Sequence, residues 1–235
     1  MATVAGKPRW LPLESNPDVL NKFVKNMGLR GDYEFTDVFG LDPELLAMVP
    51  QPVGGVLLLF PVSDNYMERN AEEAREIEAR GQTVSDQVYF MKQTISNACG
   101  TVGLLHCLGN NQARVQFEDG SYLQRYFAQC AGKSPAERGK LLEEANEISS
   151  AHEASAQEGQ TDTPALEEDQ TLHFICFVEK EGQLYELDGN KEFPINHGPT
   201  SPDTLLQDAA VVVRRFMEVT PDDMRFTVMA FSKTQ

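Results

Sequence analysis

The chain has 235 residues, the size of one large domain or two small ones. It carries 20 Lys and Arg against 36 Asp and Glu, so its formal net charge is −16 and its pI is near 4.6. A nucleic-acid binder or a protein of anionic membranes needs the opposite sign, so this charge favours a basic partner instead. The apolar fraction of 41% is that of an ordinary globular domain, which can bury a sizeable core.

The cysteines and the hydrophobic segments indicate the compartment. The four cysteines are Cys99, Cys107, Cys130 and Cys176. They are too few for a disulfide scaffold and lack the spacing of a zinc or redox motif, so we expect free thiols. The N-terminus has no apolar signal segment, and the most hydrophobic stretch, residues 53–62, is half of the ~20 residues that a membrane helix needs. The sequence therefore indicates a soluble, cytoplasmic protein.

The first predicted elements are a helix and an aromatic strand. Asn16-Pro17-Asp18 is a typical helix start, and apolar residues at helical spacing follow it as far as Gly28. Residues 33–39 alternate like a strand. The residues on one side of this strand are Tyr33, Phe35, Asp37 and Phe39. The single carboxylate among aromatic residues is out of place on a core strand.

The middle of the chain predicts a buried strand and three helices. Residues 53–60 form a continuous apolar run, which is typical of a central strand covered on both faces. Residues 68–80 are mostly charged residues and alanine and predict a solvated helix that ends at Gly81. Residues 100–108 are apolar enough for a buried helix, and residues 121–131 predict an amphipathic helix.

A composition change follows the next predicted helix. Ser134 and Glu137, with a proline between them, form a capping box, and the helix they open is predicted to reach about Ser150. Residues 151–170 contain almost no large apolar side chain, and residues 143–170 hold nine acidic residues and no Lys or Arg. Such a stretch cannot form core, so it predicts a mobile loop.

The last quarter of the chain predicts a hairpin, a helix and a final strand. The predicted elements are a strand at residues 172–179, a strand at 184–187, a helix opened by Pro202-Asp203 and a strand at 226–231. Glu181-Gly182 is the expected hairpin turn. There is no internal repeat and no interdomain linker, so we expect a single domain over residues 1–235.

Cys99 is a candidate nucleophile. It lies where the polar residues 93–98 meet the apolar helix predicted at 100–108, and therefore near a helix N-terminus. Unpaired amides and the helix dipole at that end favour the thiolate, which is the reactive form. An ordinary thiol with polar neighbours is the alternative.

His173 and Asp188 are coupled by the hairpin. If Glu181-Gly182 is the turn, residues whose numbers add up to about 363 face each other, and Asp188 lies within two residues of the position opposite His173. A carboxylate there can orient the imidazole of a general base. Taken singly, His173 is also consistent with a half-buried strand histidine and Asp188 with a turn residue. Gln93, six residues before Cys99, can add an oxyanion donor to the Cys99 amide, which completes a papain-like order of residues.

Three segments resemble signature blocks of a known family. They are residues 89–101, 172–174 and 184–189. Residues 10–14, 42–46 and 193–198 resemble the short, single-domain cytosolic members. Over essentially its whole length the chain resembles the ubiquitin C-terminal hydrolase family.

The resemblance implies a fold and a reaction. The implied fold is α+β of the papain-like cysteine protease type, with a central antiparallel sheet flanked by helices, a knotted backbone and a flexible crossover loop at about 151–167. The implied reaction removes amide, ester or thioester adducts from the C-terminal glycine of ubiquitin, or of a related modifier, without a cofactor or metal. Cys99 would be the nucleophile, His173 the general base, Asp188 its partner and Gln93 the oxyanion donor.

The resemblance also implies how substrate is selected. A ring closed by about 15 loop residues is too narrow for a folded ubiquitin, so small or unfolded adducts are expected. Because the ubiquitin tail carries two arginines, we expect carboxylates along the cleft. Asp37 and Asp223 match positions that hold those arginines in relatives, Glu14 is a weaker candidate, and Leu172 is a further expected ubiquitin contact. We expect a monomer.

Three alternatives remain open on the sequence. The first is a general papain-like peptidase, and the second is a ubiquitin-binding protein with little turnover. The third is a metal site, which is weakly supported because His106-Cys107, His152 in the predicted loop and His197 are scattered along the chain. His197 is better interpreted as structural.

Overall fold

A computed structural model describes residues 2–4, 7–159 and 171–234. The strands are β1 (Ala2–Val4), β2 (Lys7–Arg9), β3 (Leu29–Arg30), β4 (Tyr33–Asp37), β5 (Val53–Pro61), β6 (Gln116–Phe117), β7 (Leu172–Lys180), β8 (Gln183–Leu187), β9 (Ile195–Pro199) and β10 (Thr227–Lys233). The helices are α1 (Pro17–Asn26), α2 (Pro43–Leu46), α3 (Asp64–Arg80), α4 (Cys99–Asn110), α5 (Tyr122–Cys130), α6 (Pro135–Glu144), α7 (Asn146–Ala156) and α8 (Leu205–Val219). None of these helices is both long and apolar enough to cross a membrane.

A six-stranded antiparallel sheet organises the molecule, with strand order β4-β10-β5-β7-β8-β9. Every residue of β5 is buried, which confirms the predicted central strand. Alternate side chains enter two separate cores: Leu57 points into the core that contains α4, and Leu58 into the core that contains α8. The prediction of an α+β fold with an antiparallel sheet between helices is therefore confirmed.

Side-chain caps fix where several helices begin. Asn16 accepts a hydrogen bond from the Asp18 amide at 2.9 Å, and Ser134 and Glu137 form the predicted capping box. Ser63 caps α3, so this helix begins four residues before the predicted start. Helix α8 begins at Leu205, slightly later than its predicted opening.

The region from Ser134 to Ala156 differs from the sequence prediction. Instead of one helix to about Ser150 followed by a loop, the chain breaks at Ala145 and continues as α7. The predicted loop at 151–167 is therefore wrong for residues 151–156, which are helical. The remainder of that prediction falls largely on residues 160–170, outside the described residues. The physical reason is that α7 buries Ile148, His152 and Ala156, which are four residues apart, so one face of this helix packs on the core through an isoleucine, a histidine and an alanine.

His152 anchors this helix to the core. Its Nε2 lies 2.6 Å from the Leu11 carbonyl and must donate, so Nδ1 accepts from the Thr101 hydroxyl at 2.7 Å. The ring also packs against Trp10, with centroids 4.4 Å apart. Burial lowers the pKa of His152 to about 4, although the bond to Leu11 opposes that effect. The prediction of a loop histidine is wrong: His152 is a neutral, fully bonded core residue.

The aromatic strand β4 is shorter than predicted. Tyr33 and Phe35 are buried against Phe231 of the neighbouring strand, as the alternation predicts. The strand ends at Asp37, and Phe39 is 81% exposed. The predicted aromatic face is therefore wrong for Phe39, because the residue lies beyond the last ladder pair. Asp37 is exposed at the end of the strand, so its carboxylate is not buried among the aromatic residues of the core.

Two implications of the resemblance concern the path of the whole chain. They are the knotted backbone and the single domain over residues 1–235. Both stay predictions.

We predict that His152 makes the protein sensitive to acid. Its pKa is about 4 in the folded protein against about 6.5 in an unfolded chain, so the unfolded chain binds more protons between these values and stability falls as the pH falls through them. The loss is on the order of 3 kcal/mol. Urea unfolding across this pH range should show a shallower decline in unfolding free energy for His152→Gln than for the wild type. Glu153→Gln, at an exposed neighbour on α7, is the matched control, and equal slopes for His152→Gln and wild type would contradict the prediction.

Candidate active site

Cys99 is the first residue of α4, as the sequence predicts. Asn97, two residues before Cys99, has a φ of 61°, a left-handed conformation that turns the chain into the helix. No side chain caps this end, so the first amides of α4 and the helix dipole are directed toward the thiol. None of the four cysteines forms a disulfide. Three of them are buried, whereas Cys99 is partly accessible. Cys99 is thus the thiol placed for reaction.

The hairpin brings His173 and Asp188 together as predicted. The β7–β8 register pairs Cys176 with Leu187 and Lys180 with Gln183, so paired residue numbers add up to 363 throughout. Beyond the last pair, His173 Nε2 lies 2.7 Å from Asp188 Oδ1. The Cys99 side chain is a further hydrogen-bonding partner of the imidazole. Because Nε2 is directed to Asp188, Nδ1 is the ring nitrogen left for the thiol.

Charge stabilises the protonated imidazole despite its burial. Burial by itself lowers the pKa of His173, but the charge and hydrogen bond of Asp188, together with Cys99, outweigh it and raise that pKa well above its ordinary value. Burial by itself raises the pKa of Asp188, but the charge of His173 outweighs the effect of burial, so the pKa of Asp188 is lowered. Within this buried pair, the charge of Asp188 thus favours the protonated imidazole beside Cys99.

Gln93 is tied to the turn that follows Asp188. Its backbone N–H donates to the Gly189 carbonyl at 2.8 Å, and a side chain at Gly189 would come within 2.9 Å of Gln93 Cβ. The Gln93 side-chain nitrogen donates one hydrogen bond to the Ile95 carbonyl at 3.1 Å. Its second N–H remains for an oxyanion beside the Cys99 amide. The oxyanion role of Gln93 remains a prediction.

Three residues support the site although the sequence pattern did not point to them. The Tyr66 hydroxyl lies 3.5 Å from Asp188 Oδ2, and burial with nearby carboxylates raises the pKa of Tyr66, so it stays a proton donor. His152 holds Thr101, two residues after Cys99, through the bond described above. Trp10 donates its backbone N–H to the Ser96 carbonyl at 3.0 Å, which fixes the segment before the nucleophile. Of these three, only His152 could have been recognised from the sequence, because it lies four residues after Ile148 and four residues before Ala156.

The predicted ubiquitin contacts gather at one end of the sheet. Asp37 ends β4, Leu172 and His173 begin β7, and Asp223 precedes β10. Antiparallel pairing of β4 with β10, β10 with β5 and β5 with β7 places these strand ends side by side. Glu14 is close to the same end, because the neighbouring Ser15 hydroxyl bonds to Thr227 Oγ1 at 3.4 Å. The roles of these residues remain predictions.

Asp37 lines an acidic groove. The groove, of about 500 Å³, is lined by Asp18, Glu34 and Asp37 together with the exposed apolar Phe39 and Met48. Partial burial and the nearby charge of Asp18 raise the pKa of Asp37. A cation that enters this groove would therefore relieve repulsion between two carboxylates.

The other predicted contacts already have partners within the chain. Arg225 donates to both carboxylate oxygens of Asp223, at 2.6 Å for Nη2 to Oδ2, and this contact lowers the Asp223 pKa to about 2. Glu14 accepts from Asn16 Nδ2 at 3.1 Å. Leu172 is half-buried and packs against the core. Asp223 therefore has to exchange its arginine before it can hold another one.

The site and the sheet around it define a class of protein. A thiol at a helix N-terminus, an imidazole and a buried carboxylate on adjacent strands, with an amide donor nearby, are the parts of a papain-like cysteine hydrolase. A family model described as "Ubiquitin carboxyl-terminal hydrolase, family 1" matches residues 10–218. The chain belongs to this family of cysteine peptidases.

Individual relatives and a solved structure agree with this membership. "Ubiquitin carboxyl-terminal hydrolase 3" of Arabidopsis thaliana is 49% identical over 226 residues, which cover 96% of this chain and 94% of the relative. Isozyme L1 of Homo sapiens is 45% identical over 225 residues, covering 94% of this chain and 97% of the relative. The fold matches the UCH37 catalytic domain of Trichinella spiralis, bound to ubiquitin vinyl methyl ester, with a TM-score of 0.74, 23% identity and 96% coverage of both chains.

We predict that Asp188→Asn lowers the pKa of His173. The substitution keeps the size of the side chain but removes the charge that raises the imidazole pKa, so the titration midpoint should fall by at least about one unit. NMR of the labelled imidazole, assigned with His173→Gln, measures the midpoint. Asn190→Ala is the control, because it removes only a neutral group 3.5 Å from His173 Nε2. An unchanged midpoint in Asp188→Asn would refute the electrostatic account.

Proposed function

We propose that this protein is a thiol-dependent ubiquitin hydrolase that removes small or unfolded adducts from the C-terminal glycine of ubiquitin or a related modifier. The observation that carries the proposal is the Cys99–His173–Asp188 arrangement at the sheet end where predicted contacts for a basic tail gather. The family membership supplies the substrate class. We also propose a cytoplasmic location, supported by four cysteines that remain free thiols.

The first half of the reaction forms an acyl-enzyme. The Cys99 thiolate attacks the carbonyl carbon of the terminal glycine, and the carbonyl oxygen takes up negative charge. The Cys99 backbone N–H and Gln93 Nε2 donate to that oxygen. His173 then gives its proton to the leaving amine, alcohol or thiol, the bond to the leaving group breaks, and a thioester joins Cys99 to ubiquitin.

The second half of the reaction restores the enzyme. Neutral His173 takes a proton from water, and the resulting hydroxide attacks the thioester carbonyl. The carbon–sulfur bond breaks, the new carboxyl group of ubiquitin releases its proton to the solvent and leaves as a carboxylate, and Cys99 is again a thiolate beside the imidazolium. Asp188 holds the ring orientation and stabilises the positive charge in both halves.

We propose that chain length limits the size of the leaving group. Helix α7 ends at Ala156 and β7 begins at Leu172, so fifteen residues connect them. Fully extended, such a segment reaches at most ~50 Å, and a ring closed by it opens far less than the ~25 Å width of a folded ubiquitin. Slender peptides, amines and thiols are the adducts consistent with that limit.

We predict one covalent adduct with ubiquitin that carries a C-terminal electrophile. Mass-spectrometric mapping should locate it on Cys99, because the other three cysteines are buried. Cys99→Ala should lose both the adduct and the release of a fluorescent amine from ubiquitin, whereas Cys130→Ala, at a buried thiol, should keep the adduct on Cys99.

Two outcomes would contradict the proposed hydrolase. An adduct on another residue would exclude Cys99 as the nucleophile. An adduct on Cys99 without turnover of the fluorescent amine would identify a ubiquitin-binding protein in place of an enzyme.

We predict that Asp37→Asn weakens substrate binding without slowing the chemistry. An exposed ion pair contributes up to about 1 kcal/mol, so KM should rise by up to about fivefold while kcat changes little. Steady-state kinetics with the fluorescent ubiquitin substrate separate the two parameters. Asp42→Asn is the matched control, since it removes the same charge from an exposed position whose side chain caps no amide. Equal KM values for the two variants would exclude a specific role of Asp37.

A further inference from the structure

A small cavity lies behind the catalytic carboxylate, between α3, α8 and the segment that follows β8. It measures about 70 Å³. Its charged and titratable lining residues are Arg69, Glu73, Glu186, Lys191, His197 and Arg215. Tyr66, which bonds to Asp188, also lines it, and Phe216 contributes an apolar wall. The cavity therefore lies close to the active site but shares none of its reacting groups.

Two arginines of this cavity have no partner. Arg69 on α3 and Arg215 on α8 are exposed and make no hydrogen bond or ion pair with the described part of the chain. Several other basic residues of this acidic protein are paired with carboxylates. They include Lys22, Lys25, Arg30, Arg114 and Arg125. Two unpaired guanidinium groups from different helices at one cavity make a locally positive site on a chain of net charge −16.

Both carboxylates in the cavity share one lysine. Buried Lys191 lies 2.6 Å from Glu186 Oε1 and 3.0 Å from Glu73 Oε2. His197 Nε2 lies 2.8 Å from Glu186 Oε2. Because Lys191 and the two arginines carry three positive charges against two negative ones, the cavity keeps one positive charge even with His197 neutral. The net charge offered to an anion is therefore positive only through the two arginines.

The chemistry of the cavity selects a compact oxyanion. A guanidinium presents parallel N–H groups that match two oxygens of phosphate, and two such groups match a tetrahedral ion better than a planar carboxylate. By the measure on which one water needs roughly 10 to 15 Å³, this cavity holds a ligand as large as several waters. We propose that Arg69 and Arg215 bind a phosphate group in this cavity, either as inorganic phosphate or as the terminal group of a phosphate monoester.

The test is a phosphate titration of the whole protein at constant ionic strength, with sodium chloride as the balancing salt. Isothermal calorimetry and the Tm are both measured, since a ligand of the folded state raises the Tm. We expect phosphate to bind and to raise the Tm, and Arg69→Gln with Arg215→Gln together to weaken binding at least about tenfold, by loss of two charge-assisted contacts. Arg75→Gln, at an exposed and unpaired arginine of α3 outside the cavity, is the matched control and should bind as the wild type does.

Titrations with phosphoserine and with chloride show which kind of anion binds and test the proposal. Tighter binding of phosphoserine than of inorganic phosphate would assign the site to a monoester, and the reverse order would assign it to the free ion. Circular dichroism and the rate of Cys99 alkylation check that the double variant is folded. A Tm that rises equally with chloride would overturn the proposal, as would equal binding by wild type and the double variant.

Discussion

The contact between His173 and Asp188 determines most of what surrounds it. A buried charged pair is stable only with good geometry and additional hydrogen bonds. Asp188 obtains these from the Asn190 amide at 2.9 Å and from Tyr66. The pair also requires one hairpin register, because a slip by one residue would turn each side chain to the opposite face of the sheet. The Glu181-Gly182 turn, with both residues at positive φ, sets that register.

The second requirement is that α4, the helix that begins with Cys99, lie directly on the sheet. All residues of α4 after Cys99 are buried, and the helix packs on β5 and β7. At the contact, a side chain on Gly55 would approach Cys107 Sγ to 2.6 Å, so only glycine permits this distance between helix and strand. The same packing brings the start of α4 to the start of β7, where Cys99 meets His173. The position of α4 on the sheet thus accounts both for the close packing at Gly55 and for the proximity of Cys99 to His173.

Local rules in the sequence predicted the triad because each of its parts depends on near neighbours. The position of Cys99 follows from a helix start, and the pairing of His173 with Asp188 follows from a turn and a register. The second half of α7 was predicted as a loop, since beyond Ile148 its buried face is built from His152, Ser155 and Ala156, which carry no strong hydrophobic signal. The partner of Asp223 is two residues away, yet an exposed Arg225 has many possible acceptors. The cavity formed by α3 and α8 brings together residues about 150 positions apart, which no local pattern predicts.

Some acidic side chains of this chain are compensated by basic partners, and others are not. Arg225 neutralises Asp223, and Lys191 with His197 surrounds Glu186. The pKa of Asp37, by contrast, is raised by partial burial and, to a smaller extent, by the charge of Asp18. Asp37 therefore carries a charge that no ion pair with the described residues compensates. A cationic tail that arrives there gains attraction and loses no ion pair already present, whereas the same tail at Asp223 must first displace Arg225. Of the two aspartates expected to hold arginines, Asp37 is consequently the one at which a positive charge binds without breaking an existing ion pair.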